Sequence, residues 1–400
     1  MQTRLIAVLL AASTLAVGTH ATAAPAKGTG GNAATFDATR FGQKLDAALD
    51  AATGGYAWSI AQGGKLIASG GDGYARTPAD GDLKHGPDQR QNIASVSKMI
   101  TAVAVLQLLR QIGKDEDAKI ALYLPPGWVA GPNVDKITFA HLLGHRSGLA
   151  IPNNNSEAIL GSDAMRAMVL AGTTNVAPFP ALPAQIDYRN VNFALLRVLM
   201  SQLYAQTGNK PETLALAMQP QLGKLPPLNE VPAYVKAMNN HVYTGLVQKN
   251  VFDKIGVKGA LCQDMTPKAT LYYDTAQKLP GERSMKTNSW TNFCGSGGWY
   301  LSSNDLTRFM TYLRHTEVLL PAPWRERMIA KRFGVSRNSG EHGDYFQHGG
   351  VVGSGKTGGI YACMIRFSIN VEAAVVINSM LTNNLLPCPI LKTAFDAAWQ

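Results

Sequence analysis

Ser95-Val96-Ser97-Lys98 is the single S-x-x-K in this 400-residue chain. Residues three apart share a helix face, so the Ser95 hydroxyl and the Lys98 amine can meet. A serine is a weak nucleophile until a neighbour takes its proton, and an amine at that spacing can take part in doing so. The N-terminal end of a helix also favours a developing alkoxide. At average Ser and Lys usage roughly one such tetrapeptide is expected by chance in a chain this long, so it carries little weight alone. Tyr188-Arg189-Asn190 adds a phenol that can carry a proton beside an ammonium, and an amide that can bind a carbonyl. The third stretch, HGGVVGSGKTGGIY at 348–361, carries overlapping patterns. Its Gly350–Thr357 portion satisfies the P-loop spacing G-x-x-x-x-G-K-T. A P-loop must open a helix, yet Gly-Gly and the strand-like GIYACMIRF follow Thr357, so the phosphate reading is set aside.

These residues need elements to position them. SVSKMITAVAVLQLLRQIGK (95–114) is nearly all apolar from Met99 to Leu109 and predicts a helix buried on almost all sides. YAWSIAQGGKLIASGGDGYAR (56–76) reads as two strands joined by a Gly-Gly turn. The middle, 115–285, is helix-like and loop-rich with Pro-containing breaks such as YLPPGW and PFPALPAQ. Strand character returns in GIYACMIRF (359–367) and AAVVINSM (373–380), and PILKTAFDAAW closes the chain as an amphipathic helix. Early and late strands around a helical middle predict an α/β domain built from both ends, 36–114 and 286–400. An inserted, mostly helical domain occupies 115–285.

The first residues point to secretion. Arg4, the apolar run LIAVLLAASTLAV and Ala21-Thr22-Ala23 read as a signal peptide over 1–23, followed by a small, polar tether at 24–35. A periplasmic or extracellular location follows. The net charge of +10 suits an anionic wall or membrane neighbourhood. No Lys/Arg cluster interleaved with aromatics supports nucleic-acid binding. Cys262, Cys294, Cys363 and Cys388 fit disulfides in an oxidising compartment. Their order suggests 262–294 and 363–388, though other pairings stay open. His141 and His145 in HLLGH are four apart but lack the Glu of a zincin, and no C-x-x-C occurs, so neither metal nor cofactor is expected.

Beyond the short motifs, QNIASVSKMITAVAVLQL, KITFAHLLGHRSGL, IDYRNVNFALL and GSGGWYLSSNDLTRFM occur in this order. In them the chain resembles the class C β-lactamase-like serine hydrolases, penicillin-binding-protein-like proteins that include DD-peptidases, D-aminopeptidases and family VIII esterases. The resemblance spans roughly 55 to 400. It implies the β-lactamase/transpeptidase-like fold, an antiparallel sheet flanked by helices with a mainly helical insertion. It also implies Ser95 as acylated nucleophile, Lys98 as its partner, Tyr188 as general base and acid, and Asn190 orienting substrate. The family's third motif, K-T-G or a His variant, lies on an edge strand followed by a turn and an antiparallel partner. Taking Lys356-Thr357-Gly358 leaves no residues for that turn. Taking His348-Gly349-Gly350 leaves VVGSGKTG for it. The HGG assignment is therefore adopted, and the oxyanion hole is expected at the N–H groups of Ser95 and Val351. A part-time cation at 348 and no hydroxyl at 349 weaken carboxylate recognition unless Lys356 reaches back. The expected activity is ester or amide (peptide) hydrolysis through an acyl-enzyme, with a small-molecule or peptide substrate that could derive from peptidoglycan. Hydrolysis of β-lactams or D-Ala-D-Ala peptides is the alternative. A non-catalytic cell-wall-binding relative is the alternative of another class.

Overall fold

The computed structural model describes residues 34–151, 161–176, 186–283, 290–353 and 358–400. The expected signal peptide, most of the tether, and Lys356-Thr357 lie outside the described residues. An amphipathic helix not foreseen from the sequence comes first, α1 (Ala38–Asp50). Its Phe41, Leu45 and Leu49 repeat every four residues and are buried, and the Asp37 side chain caps it by accepting the Arg40 N–H.

The expected hairpin follows as β1 (Gly55–Gln62) and β2 (Lys65–Arg76). Gly63 and Gly64 make the turn at φ 55° and 84°, values that a two-residue hairpin loop requires. After β3 (Leu83–Lys84), β4 (Gln91–Asn92) pairs with β5 (Tyr300–Leu301) in a small ribbon. The late strands are β6 (Ser336–Gly340), β7 (Gly343–Val352), β8 (Ile360–Arg366) and β9 (Val371–Ile377). All belong to one seven-stranded sheet in the order β3-β2-β1-β9-β8-β7-β6, antiparallel at every pairing. Strands from the two ends of the chain thus meet at β1 and β9.

Both faces of this sheet are covered, which explains why its central strands read as apolar runs instead of alternating. Tyr361, Cys363 and Ile365 of β8, with Ala373, Val375 and Ile377 of β9, pack with α1 and the closing helix α11 (Pro387–Asp396). Their alternates Ala362, Met364, Ala374 and Val376 join the larger core around α2 (Ser97–Gln111). That helix is buried from Ser97 to Leu109, so truncating one of its large side chains to Ala is expected to cost about 2–5 kcal/mol. Between α2 and β5 the chain is mainly helical. It forms α3 (Phe139–Leu143), α4 (Ser162–Ala171), α5 (Asn190–Gln206), α6 (Pro211–Ala217), α7 (Gln219–Leu222) and α8 (Val231–Val247). Helices α9 (Ser303–His315) and α10 (Ala322–Ala330) then lead back to β6. The cysteines pair as 262–294 and 363–388, with Cα–Cα separations of 5.7 and 5.3 Å. The second bridge ties β8 to α11. Among the described residues no helix is long and apolar enough to cross a membrane.

Candidate active site

Ser95 lies in a 3-10 turn, Ala94–Val96, that runs directly into α2. It therefore precedes the α-helix, where the sequence suggested the helix itself. The turn is set by Asn92, whose Oδ1 accepts the Ala94 N–H at 2.8 Å and holds Ala94 at φ 46°. A non-glycine residue in that region costs about 1–3 kcal/mol, a strain that clusters at working sites. The i, i+3 relation survives the change of helix type. Lys98 Nζ donates to Ser95 Oγ at 3.0 Å and to the Ser296 carbonyl at 2.5 Å.

Lys98 is fully buried, and among the described residues no carboxylate pairs with it. Burial pushes its pKa down, while the charge and hydrogen bond of Tyr188 oppose the shift. The ammonium nitrogen lies 5.0 Å from the centroid of the Tyr188 ring, and Tyr188 itself is half exposed. Arg189 is the extended residue before α5, and Asn190 is that helix's first residue. The Arg189 guanidinium pairs with Asp187 at 2.6 Å, which turns its bulk toward that neighbour.

The third motif lies on β7. Its pairing with β6 ends at Ser336–Gln347, so among the described residues His348 to Val352 pairs with β8 alone. Gly350 runs against the Ser95 turn: a Cβ there would sit 2.4 Å from the Ile93 carbonyl oxygen and 3.0 Å from the Ser95 nitrogen. Gly349 faces the opposite side, where a Cβ would lie 3.1 Å from Cys388 Sγ. His348 is buried, with Nδ1 2.6 Å from the Gly334 carbonyl. A carbonyl only accepts, so Nδ1 carries the proton. Burial and the Lys98 charge bring the His348 pKa down to about 4, against the pull of Gly334, leaving the ring uncharged at neutral pH. Val351 is exposed at the end of the strand, opposite Tyr361.

Ser95, Lys98, Tyr188 and Gly350 are thus brought together. Three further participants carry no signal in the short motifs: the Ser296 carbonyl on Lys98, the Gly334 carbonyl on His348, and His145. The His145 ring lies 4.4 Å from the Tyr188 ring between centroids. Its Nδ1 accepts the Arg189 N–H at 3.2 Å, whereas His141 Nδ1 accepts the Thr138 N–H in a capping box. The two rings of HLLGH are therefore engaged separately, at different tasks.

Part of the chain is similar to a known family, and its fold to solved structures. Residues 39–210 match the family model described as Beta-lactamase. No curated protein sequence matches the chain. Among solved structures, the Beta-lactamase/D-alanine carboxypeptidase from Pseudomonas syringae superposes with TM-score 0.62 at 14% identity, covering 90% of this chain and 97% of that one. A D-stereospecific amidohydrolase from Streptomyces sp. gives 0.61 at 18% identity, covering 90% and 98%. The octameric penicillin-binding protein homologue from Pyrococcus abyssi gives 0.61 at 16%, covering 89% and 75%. The fold is the β-lactamase/transpeptidase-like one, and residues 39–210 are similar to the Beta-lactamase family model.

Proposed function

We propose that this chain is a secreted serine hydrolase that acts through an acyl-enzyme on Ser95, and that its substrate is an ester or amide without a carboxylate beside the scissile bond. The observation that carries the reading is the 3.0 Å contact from a fully buried Lys98 to the Ser95 hydroxyl. As Ser95 Oγ bonds to the carbonyl carbon, its proton passes to the Tyr188 phenolate oxygen, while the Lys98 ammonium donates to Oγ and supports the phenolate charge. The oxyanion is held by the N–H groups of Ser95 and Val351. The proton then goes to the departing alcohol or amine, and water releases the acyl group by the same steps in reverse. Asn190 orients the acyl part. The helical region 115–285 serves as an insertion that shapes the cleft.

Substrate preference follows from the third motif. A Lys and a hydroxyl there could engage a carboxylate, but His348 is uncharged at neutral pH and Gly349 has no hydroxyl. Two disulfides support a secreted protein, so a peptidoglycan-derived amide is among the substrates to try. A fluorophosphonate should label the wild type covalently and leave Ser95→Ala untouched, with hydrolysis of p-nitrophenyl esters lost in parallel. Wild-type turnover by Ser95→Ala would overturn the reading. Turnover of a chromogenic β-lactam faster than any ester or amide would favour the β-lactamase alternative.

A further inference from the structure

His145 breaks two local rules at once. Its backbone sits at φ 56°, a region where a side chain with a Cβ is strained. Its Nε2 is buried with no hydrogen-bond partner among the described residues, and since Nδ1 accepts the Arg189 N–H, that Nε2 carries a proton with nowhere to go. Buried donors without acceptors are rare in folded proteins. A residue that is costly in both backbone and side chain is held by what surrounds it.

What surrounds it is the Tyr188 segment. The His145 carbonyl accepts the Asp187 N–H at 2.9 Å, and Nδ1 accepts the Arg189 N–H at 3.2 Å. The ring lies 4.4 Å from Tyr188 at a 31° tilt and 5.1 Å from Phe193 on α5. One residue therefore holds the backbone on both sides of Tyr188 and the face of its ring. Half-exposed Tyr188 precedes α5 and belongs to no helix or strand.

We infer that His145 is a positioning residue for Tyr188, fixing the phenol against Lys98 through its ring and through the backbone of Asp187 and Arg189. This rests on the proton-transfer role proposed for Tyr188. Loss of the ring would let the phenol wander by an ångström or so, which costs roughly tenfold to a hundredfold in turnover, while contacts made equally in ground and transition states, and hence KM, change little.

A double-mutant cycle tests it on the full-length protein. His145→Ala should lower kcat by ~10- to 100-fold with KM within about threefold, and slow fluorophosphonate labelling of Ser95 in step. In a Tyr188→Phe background the same change should have almost no further effect. His145→Asn suits a positive φ and keeps an acceptor for the Arg189 N–H. It should recover part of the loss, and it serves for the cycle where the Ala variant melts early. An equal loss with and without the phenol, or an effect confined to KM, would overturn the inference while leaving the acyl-enzyme intact. Full activity of Tyr188→Phe would overturn the role of Tyr188 and this inference with it.

Discussion

Gly350→Ala tests whether the third motif is at work where β7 meets the Ser95 turn. The added methyl would lie 2.4 Å from the Ile93 carbonyl oxygen and 3.0 Å from both Ala94 Cβ and the Ser95 nitrogen. Ordinary contact begins near 3.4 Å, so the worst approach is short by 3.4 − 2.4 = 1.0 Å. Two of the three atoms are backbone, so no side chain can rotate to make room. Strand β7 is held by β8 from Phe346 to Val352, and the turn is held by Asn92 and by the start of α2. Something must move by about an ångström, and Ser95 is on one side of the contact. A misplacement of that size costs on the order of a hundredfold in rate, while overpacking costs about 1–3 kcal/mol in stability. The assay is kcat/KM on a p-nitrophenyl ester beside a urea titration. Gly86→Ala is the control, since a Cβ there meets nothing within 4 Å. Turnover by Gly350→Ala within about twofold of wild type would refute the placement of the motif against the nucleophile, because no ångström-scale shift would leave the rate unchanged.

Acid should unfold the protein through its buried imidazoles. His85 and His348 both have pKa values lowered from 6.5 to about 4 by burial, so the unfolded chain binds protons that the native state refuses. Their stabilisation is complete above pH 6.5 and falls away toward pH 4, by up to about 3 kcal/mol per ring. A urea midpoint that does not move between pH 7 and pH 4.5 would contradict this. Reducing the disulfides should lower stability by about 3.5 kcal/mol each, given sequence separations of 32 and 25 residues. A thermal melt unchanged by a phosphine reductant, with the thiols shown to be free, would count against that figure.

The fold was legible because its signals are local or repeated. Gly63-Gly64 between two strand runs, the apolar stretch of α2, and the adjacent runs of β8 and β9 each need only one segment to be read. The contact of Ser95 with Lys98 was legible for the same reason, since the i, i+3 spacing brings the two side chains together across the 3-10 turn and the start of α2. Helix α1 has a weak signature because, alanines apart, its apolar residues are only Phe41, Leu45 and Leu49 in a polar surround. His145 was seen only as half of a possible metal pair. Its part in the site depends on a positive φ and on a ring contact across 43 residues of chain (188 − 145), neither of which has a signature in neighbouring sequence. Gly349 reads in sequence as a missing hydroxyl. In the fold it also leaves room for Cys388 Sγ, a contact set by the disulfide and by α11.

The electrostatics of the site bind these observations into one argument about substrate. Three basic side chains, Lys98, His145 and His348, face one another closely enough that the Lys98 charge lowers the pKa of both imidazoles, after burial. The histidines yield and stay neutral near pH 7. Burial lowers the Lys98 pKa, and Tyr188 opposes that shift by supporting its charge. For His348 to serve as a carboxylate-binding cation the pH must approach 4. There a substrate's terminal carboxyl, with an ordinary pKa of about 3.3–3.7, is itself close to losing its charge. The two charges coexist only over a narrow acidic window, in which protonating His348 also works against the fold. This is what supports the proposed substrate, an acyl group recognised by shape and neutral hydrogen bonds rather than by charge.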